Sequence, residues 1–172
     1  YVYLFFSYFS CVLYKAAYTE SFFCNNSSWV PCSLIYPWSI TTILSEIGEN
    51  PQREGLLGTP ERIARMYREI FRGYDESQKP KITTFPNDME STDIVFDCGD
   101  YYSMCEHHMM PFFGHYYFAY IPKKDGRILG ISKVARVVGY CSARLQLQER
   151  LAMDIINMLT EALEGKVEGM AI

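Results

Sequence analysis

Hydrophobic positions recur every three or four residues in two segments that follow residue 39, and this spacing predicts two helices. Gly48 follows the first apolar stripe and is expected to be its C-cap. The second helix should begin at Thr59-Pro60-Glu61, which has a cap residue, a proline and an acid in order. Gly73 is expected to end it. Residues 75–91 are polar, include two prolines and indicate a connector.

Strand patterns occupy the middle of the chain. Residues 92–96 are predicted to lead a strand towards Cys105, and the aromatic run at 112–121 predicts a second strand. Residues 122–126 indicate a turn, and residues 127–131 indicate a short extended piece.

Two further helices are predicted after this extended piece. Ser132 is expected to be the N-cap of the first, and residues 146–163 carry the apolar stripe of the second, with Gly165 as its stop. Residues 167–172 resemble the start of a strand. The order helix, helix, strand, strand, helix, helix, strand predicts an α+β fold with an antiparallel sheet.

The first 38 residues differ in composition from the rest. They hold 13 of the 27 aromatic residues but only two charges, Lys15 and Glu20. The apolar run at 1–14 is shorter than the roughly 20 residues of a membrane helix, and no basic residue precedes it. We expect a non-native or variable extension; the alternative is a truncated membrane or export segment. The predicted organisation is an aromatic-rich extension at 1–38, a helical region with its connector at 39–91, and a main domain at 92–172, truncated in mid-strand.

Composition narrows the class of protein. The 172 residues suffice for one domain with a core, and the net charge of −4 argues against a nucleic-acid footprint. Six cysteines without a paired framework argue against a disulfide scaffold. We therefore expect a cytoplasmic protein without a nucleic-acid or membrane partner.

Cys105-Glu106-His107-His108 is the segment richest in chemistry. A thiolate three residues before an imidazole suits Zn²⁺ when a tight turn aims Cys105 and His108 at one metal. His107 would then face another direction, from which it could transfer protons near neutral pH. Two donors do not complete a zinc site, so a third must lie elsewhere. The alternative is a metal-free turn with two exposed histidines.

Two other segments could bind parts of a nucleotide. Ser132, Lys133 and Arg136 open a helix where an anion such as phosphate is favoured, and Arg65 could join them; the alternative is a solvated basic face. Glu149 could accept hydrogen bonds from N1–H and the 2-amino group of a guanine. Its alternative role is that of an acid complementing a helix dipole. Strand residue His115 is expected to be structural or exposed.

Several motifs together resemble GTP cyclohydrolase I across residues 40–172, because they recur in that family's order. They are Gly48-Glu49-Asn50-Pro51, Arg53-Glu54-Gly55-Leu56, Thr59-Pro60-Glu61-Arg62, Ser103-Met104-Cys105-Glu106-His107-His108, Pro111-Phe112-Phe113-Gly114, Ala119-Tyr120-Ile121-Pro122, Gly130-Ile131-Ser132-Lys133, Arg136, and Arg144-Leu145-Gln146-Leu147-Gln148-Glu149-Arg150-Leu151.

The resemblance implies the T-fold, an antiparallel sheet with two helices between its second and third strands. It also implies toroidal homo-oligomers, typically decamers, with active sites at subunit interfaces. The implied reaction converts GTP and water to 7,8-dihydroneopterin triphosphate and formate, at the start of the pteridine route to tetrahydrofolate or biopterin.

The resemblance also implies a role for each residue that matches a motif of the family. Cys105 and His108 match zinc ligands, and His107 matches the acid–base histidine. Glu149 matches the guanine anchor, with Gln148 beside it. The residues that match or replace those near the ribose and triphosphate are Ser132, Lys133, Arg136 and Arg65.

The chain also departs from the family pattern. The third zinc ligand, a second cysteine, would lie beyond Ile172, and Ala143 replaces one arginine of an Arg-Arg pair. Cys98 lies seven residues before Cys105, about 23 Å along a strand, which is too far for a shared metal. Cys141 stands where the family has an apolar side chain.

We therefore expect these 172 residues to bind zinc poorly and to turn over little. The alternative is a non-catalytic T-fold subunit or interaction module, and continuation of the reading frame beyond Ile172 would separate the two. A third hypothesis is a T-fold relative such as the nitrile reductase of queuosine synthesis, against which the intact Cys-Glu-His-His motif speaks.

Overall fold

The computed structural model of the protein describes residues 35–172, so most of the extension expected at residues 1–38 lies outside this range. The helices are α1 (Ile35–Glu46), α2 (Thr59–Ile70), α3 (Ser132–Ser142) and α4 (Gln148–Ala162). The strands are β1 (Thr84–Pro86), β2 (Val95–Cys105), β3 (Pro111–Pro122), β4 (Arg127–Leu129), β5 (Leu145–Gln146) and β6 (Val167–Ala171). Short 3₁₀ turns occupy Glu54–Leu56, Arg72–Tyr74 and Glu76–Gln78.

A four-stranded sheet in the order β5-β2-β3-β6 forms the centre of the fold. The long strands β2 and β3 pair antiparallel from Val95 opposite Tyr120 to Met104 opposite Pro111, and β6 pairs antiparallel with β3. Both α3 and α4 lie between β3 and β6 in the chain. This arrangement confirms the predicted α+β fold and agrees with the T-fold.

Two short strands, β1 and β5, differ from the fold predicted from the sequence. β5 pairs with β2 in parallel over two residues, so the sheet is mixed rather than wholly antiparallel. β1 lies inside the predicted connector at 75–91 and pairs antiparallel with β4. Neither strand is long enough to produce an alternating pattern in the sequence.

The core lies between one face of the sheet and the two helices α3 and α4. Alternation along β3 turns one set of side chains inward, since successive strand residues point to opposite faces. The core residues of β3, α3 and α4 include Tyr116, Phe118, Tyr120, Val134, Val137, Val138, Leu151, Ile155 and Leu159. The opposite face of the β2–β3 pair exposes aromatic residues: Phe96, Tyr102, Phe113 and Tyr117.

The end of α1 agrees with the prediction, whereas the starts of α2 and α3 differ from it. Gly48 has φ +87°, and its N–H donates to the Ser45 carbonyl, as a glycine C-cap requires. The predicted N-caps Thr59 and Ser132 are instead the first helical residues, and neither α2 nor α3 has a side-chain cap hydrogen bond. Thr59 Oγ1 accepts a hydrogen bond from Arg62 Nη2 at 2.7 Å.

Gly73 has a packing role rather than the predicted role of ending α2, which ends at Ile70. Its N–H donates to the Ala143 carbonyl at 2.9 Å, and its own carbonyl accepts from Arg144 Nε at 2.7 Å. A Cβ at this position would lie 2.4 Å from the Tyr140 carbonyl oxygen. Only glycine therefore allows the 3₁₀ turn after α2 to approach the end of α3 so closely.

Within residues 35–172, no helix has the length and apolar character needed to cross a bilayer.

Candidate functional site

The segment Cys105-Glu106-His107-His108 forms the turn between β2 and β3, here called the Cys-His turn (residues 105–110). Cys105 donates its N–H to the Met110 carbonyl, and Met109 donates to the Cys105 carbonyl, both at 2.8 Å. Met109 has φ +54°, which lets the chain reverse within a few residues. The rings of His107 and His108 are exposed and stand 72° apart, with their centroids separated by 6.3 Å. Thiol and imidazoles are thus grouped at the end of the hairpin.

Strand β5 brings the head of α4 to this turn. Cys105 pairs with Gln146 in the parallel register, and the Glu106 N–H donates to the Gln146 carbonyl at 3.2 Å. α4 begins at Gln148, two residues later, and both Gln148 and Glu149 are exposed there. Two motifs that are far apart in the sequence are therefore neighbours in the fold.

Glu106, to which the sequence assigns no role, forms an ion pair with Arg150 on α4. Arg150 Nη1 donates to Glu106 Oε2 at 2.6 Å, and the side chains are 47% and 29% exposed, respectively. This hydrogen bond holds the pKa of the Glu106 carboxyl below its usual value. Both residues belong to motifs that carry the family resemblance, but their separation in the sequence gives no sign that they meet.

Gln146 anchors β5 from within the core, a structural role that the sequence pattern does not indicate. The residue is 1% exposed, and its Nε2 donates to the Cys141 carbonyl at 3.1 Å and to Asp154 Oδ2 at 2.8 Å. These two bonds connect β5 to the end of α3 and to α4. The strand that positions the head of α4 is therefore itself fixed on two sides.

Only part of a metal site is present in the described residues. Between residues 35 and 172, no group of three His, Cys, Asp or Glu residues is arranged to hold a metal. Cys105 and His108 supply a thiol and an imidazole from one turn, which suits zinc. Cys98 is exposed on the same strand as Cys105, whereas Cys141 is buried in α3. Burial raises the pKa of the Cys141 thiol to about 11, which disfavours the thiolate a metal needs.

The residues of the predicted anion site lie on two helices, α2 and α3. Ser132 and Arg136 are exposed and Lys133 is half-buried at the start of α3. The backbone N–H of Lys133 already donates to the Gly130 carbonyl at 2.8 Å, and that of Val134 donates to the Ile131 carbonyl at 3.3 Å. An anion here would therefore depend on the side chains more than on these two backbone N–H groups.

Two arginines flank a cavity beside α3. Arg136 and Arg72 both line this cavity of about 320 Å³, although Arg72 is also paired with Glu69 at 3.4 Å. Arg65 is exposed on α2, and within the described part of the chain no hydrogen bond or ion pair joins it to Lys133 or Arg136.

Gln148 and His115 line a second cavity, of about 200 Å³, beside α4. The His115 ring is 71% exposed, and its Nδ1 is hydrogen-bonded to Asp100, the residue opposite it on β2. This location agrees with the expectation of an exposed, structural histidine.

Comparison with known proteins gives one consistent result. Residues 38–172 match the family model described as GTP cyclohydrolase I. The GTP cyclohydrolase 1 of Caldanaerobacter subterraneus subsp. tengcongensis is 51% identical over 124 residues, which is 72% of this chain and 65% of the relative. The protein of the same name from Streptococcus pyogenes serotype M1 is 49% identical over 129 residues, 74% of this chain and 66% of the relative. The chain spans about two thirds of the length of the relatives it matches.

Proposed function

The chain belongs to the GTP cyclohydrolase I family, and on that premise we propose that the protein hydrolyses GTP to 7,8-dihydroneopterin triphosphate and formate. This would be the first step of pteridine and tetrahydrofolate biosynthesis. The observation that carries the proposal is the parallel pairing of Cys105 with Gln146, because it places the Cys-His turn beside the helix head that bears Glu149. The guanine edge could then be held by α4, while C8, the atom to be attacked, lies at the Cys-His turn.

Cys105 and His108 would hold the zinc ion. Their thiolate and imidazole are two donors of the kind zinc prefers, and the proposal requires the remaining donors to come from outside residues 35–172. When bound, zinc would supply an acidified water, with a pKa of roughly 7, for attack at C8 of the guanine.

His107 and Glu149 would act on the base itself. His107 would protonate the imidazole-ring nitrogen of the purine as the ring opens, since its ring is exposed and adjoins the metal donors. The Glu149 carboxylate would accept hydrogen bonds from N1–H and the 2-amino group, and Gln148 would shape the pocket next to it. A site built to satisfy both donors discriminates strongly against bases that lack one of them.

The triphosphate would lie against the cationic side chains near the start of α3. Ser132, Lys133 and Arg136 would contact it, with Arg65 contributing from α2. No hydrogen bond or ion pair within residues 35–172 joins Arg65 to Lys133 or Arg136. Its contribution would come across an interface between subunits of a toroidal homo-oligomer, for which a decamer is proposed. A cytoplasmic location would fit this metabolic role.

The test is turnover by the zinc-loaded protein that carries this chain, with GTP as substrate. We expect the fluorescence of the oxidised pterin product to appear together with formate. His107→Asn should abolish both, whereas His115→Asn, which changes an exposed histidine on the sheet, should leave them unchanged. Zinc-loaded protein without either product, or equal activity in the two variants, would overturn the assignment.

A non-catalytic T-fold subunit is the second candidate, favoured by the finding of only two metal donors in the Cys-His turn and no third one near them within residues 35–172. Such a subunit would assemble with active copies but bind no zinc by itself. Zinc content measured on the full-length protein that carries this chain distinguishes the candidates, because an enzyme should retain about one ion per site.

A further inference from the structure

We propose that Glu106 and Arg150 form a positioning pair that sets the spacing between the Cys-His turn and the head of α4. The inference rests on the proposed function, in which the turn supplies the proton donor and the helix head holds the purine. In the proposed function, neither Glu106 nor Arg150 contacts the substrate. Their effect would be exerted through the placement of His107 and Glu149, each of which is their immediate neighbour in the chain.

A single side-chain contact bridges the Cys-His turn and α4, and this contact supports the positioning role. Arg150 Nη1 lies 2.6 Å from Glu106 Oε2, a short, charge-assisted hydrogen bond. Within residues 35–172 it is the only side-chain hydrogen bond between the turn and α4. The other link is the backbone bond from the Glu106 N–H to the Gln146 carbonyl at 3.2 Å, which holds β5. Leu151 packs α4 into the core, whereas Gln148 and Glu149 at the helix head are exposed.

The elements on both sides of this bridge have hydrogen bonds of their own. Gln146 is held from the core by Cys141 and Asp154. The Cys-His turn is closed by its own backbone bonds at 2.8 Å. A small rotation of the helix head about Leu147 would move Glu149 relative to His107, and the ion pair opposes that rotation.

The expected effect falls on catalysis more than on stability. Exposed ion pairs contribute little to folding, so removing one should shift Tm by about 4 °C or less for a domain of this size. Misplacing catalytic groups by about 1 Å, in contrast, can cost on the order of 100-fold in rate. A pair that serves only stability would show the small Tm shift and no change in rate.

The experiment is a double-mutant cycle on the zinc-loaded protein with Glu106→Ala, Arg150→Ala and the combined variant. Each single change should lower kcat about 10- to 100-fold while KM for GTP changes less than about threefold. The double variant should be no worse than either single one, since both remove the same bridge. Arg150→Lys should recover part of the lost rate because it keeps the charge.

Glu49→Ala is the matched control. Glu49 forms an ion pair with Arg53 at 3.0 Å that has similar exposure but lies in the loop after α1. We expect a comparable Tm shift with kcat unchanged. The proposal is overturned if Glu106→Ala and Arg150→Ala keep kcat within twofold of the parent protein, if their losses multiply in the double variant, or if zinc content falls with the rate.

A readout independent of turnover keeps this inference separate from the proposed function. Hydrogen exchange of the amides at 148–151 should accelerate equally in Glu106→Ala and Arg150→Ala and stay unchanged in Glu49→Ala. A parent protein without turnover refutes the proposed function, but this exchange pattern would still support the bridge. Unchanged exchange in both variants refutes the bridge itself.

Discussion

Cys105 and Gln146 face each other in parallel register at the end of β2. The pairing is short, yet it fixes the Cys-His turn next to the first residues of α4. The candidate chemistry of this protein therefore depends on a strand of two residues, held in place by the buried side chain of Gln146.

Replacing Gln146 by Leu should destabilise the fold. The change removes the hydrogen bonds from Nε2 and leaves the Cys141 carbonyl and the Asp154 carboxylate without their partner. Leaving a buried polar group such as the Cys141 carbonyl unsatisfied costs about 1–3 kcal/mol. Urea denaturation followed by circular dichroism measures the free energy of unfolding. A change below the error of extrapolation would contradict the anchoring role of Gln146.

Replacing Gly73 by Ala should destabilise the protein because the new Cβ would meet the carbonyl oxygens of Tyr140 and Ala143 at 2.4 and 2.7 Å. Overpacking of this kind costs about 1–3 kcal/mol. Gly139→Ala is the control, since a Cβ there meets nothing within 4 Å and α3 should gain about 0.5–1 kcal/mol from alanine. The Tm values of the two variants should therefore shift in opposite directions. Equal shifts would refute the close approach of Gly73 to the end of α3.

Replacing Glu149 by Gln should reduce discrimination between GTP and ITP, which lacks the 2-amino group. If the carboxylate accepts from N1–H and the 2-amino group, the parent protein should prefer GTP strongly, by more than about 100-fold in kcat/KM. The variant should lose far more activity with GTP than with ITP. A preference unchanged by the substitution would show that Glu149 only complements the helix dipole.

The buried thiol of Cys141 should make stability fall at alkaline pH. Burial raises its pKa in the folded protein to about 11, above the ordinary thiol value of 9.0. Between these values the unfolded chain has released the proton and the folded chain has not, so the free energy of unfolding decreases as pH rises. Cys141→Ala should show a shallower decline between about pH 9 and 11 than the parent protein. Identical slopes would contradict a neutral, desolvated thiol.

The long elements could be predicted from the sequence, whereas the contacts that build the site could not. Phe112–Ile121 is rich enough in aromatic residues to indicate β3, and Gly48 marks the end of α1, because strand propensity and cap chemistry are local properties. The two residues of β5 produce no period. The helix starts at Thr59 and Ser132 differ from the prediction by one position, since a helix can start without a side-chain cap.

The Glu106–Arg150 pair shows why contacts between distant segments could not be predicted from the sequence. The chemical types in Cys105-Glu106-His107-His108 indicate metal and proton chemistry, but they do not say which distant residue each side chain meets. That information comes from the packing of α4 against the sheet. The proposed metal donors show the same limit, because two are local to one turn and the proposal requires the others to come from outside residues 35–172.

The fate of carbon 8 of GTP tests the proposed function most directly. The zinc-loaded protein that carries this chain would be incubated with [8-¹³C]GTP, and the products would be followed by ¹³C NMR. We predict that the label appears in formate, one equivalent for each dihydroneopterin triphosphate, and that His107→Asn prevents its release. Label retained in GTP or in a dephosphorylated guanine nucleotide, with no labelled formate, would contradict the account.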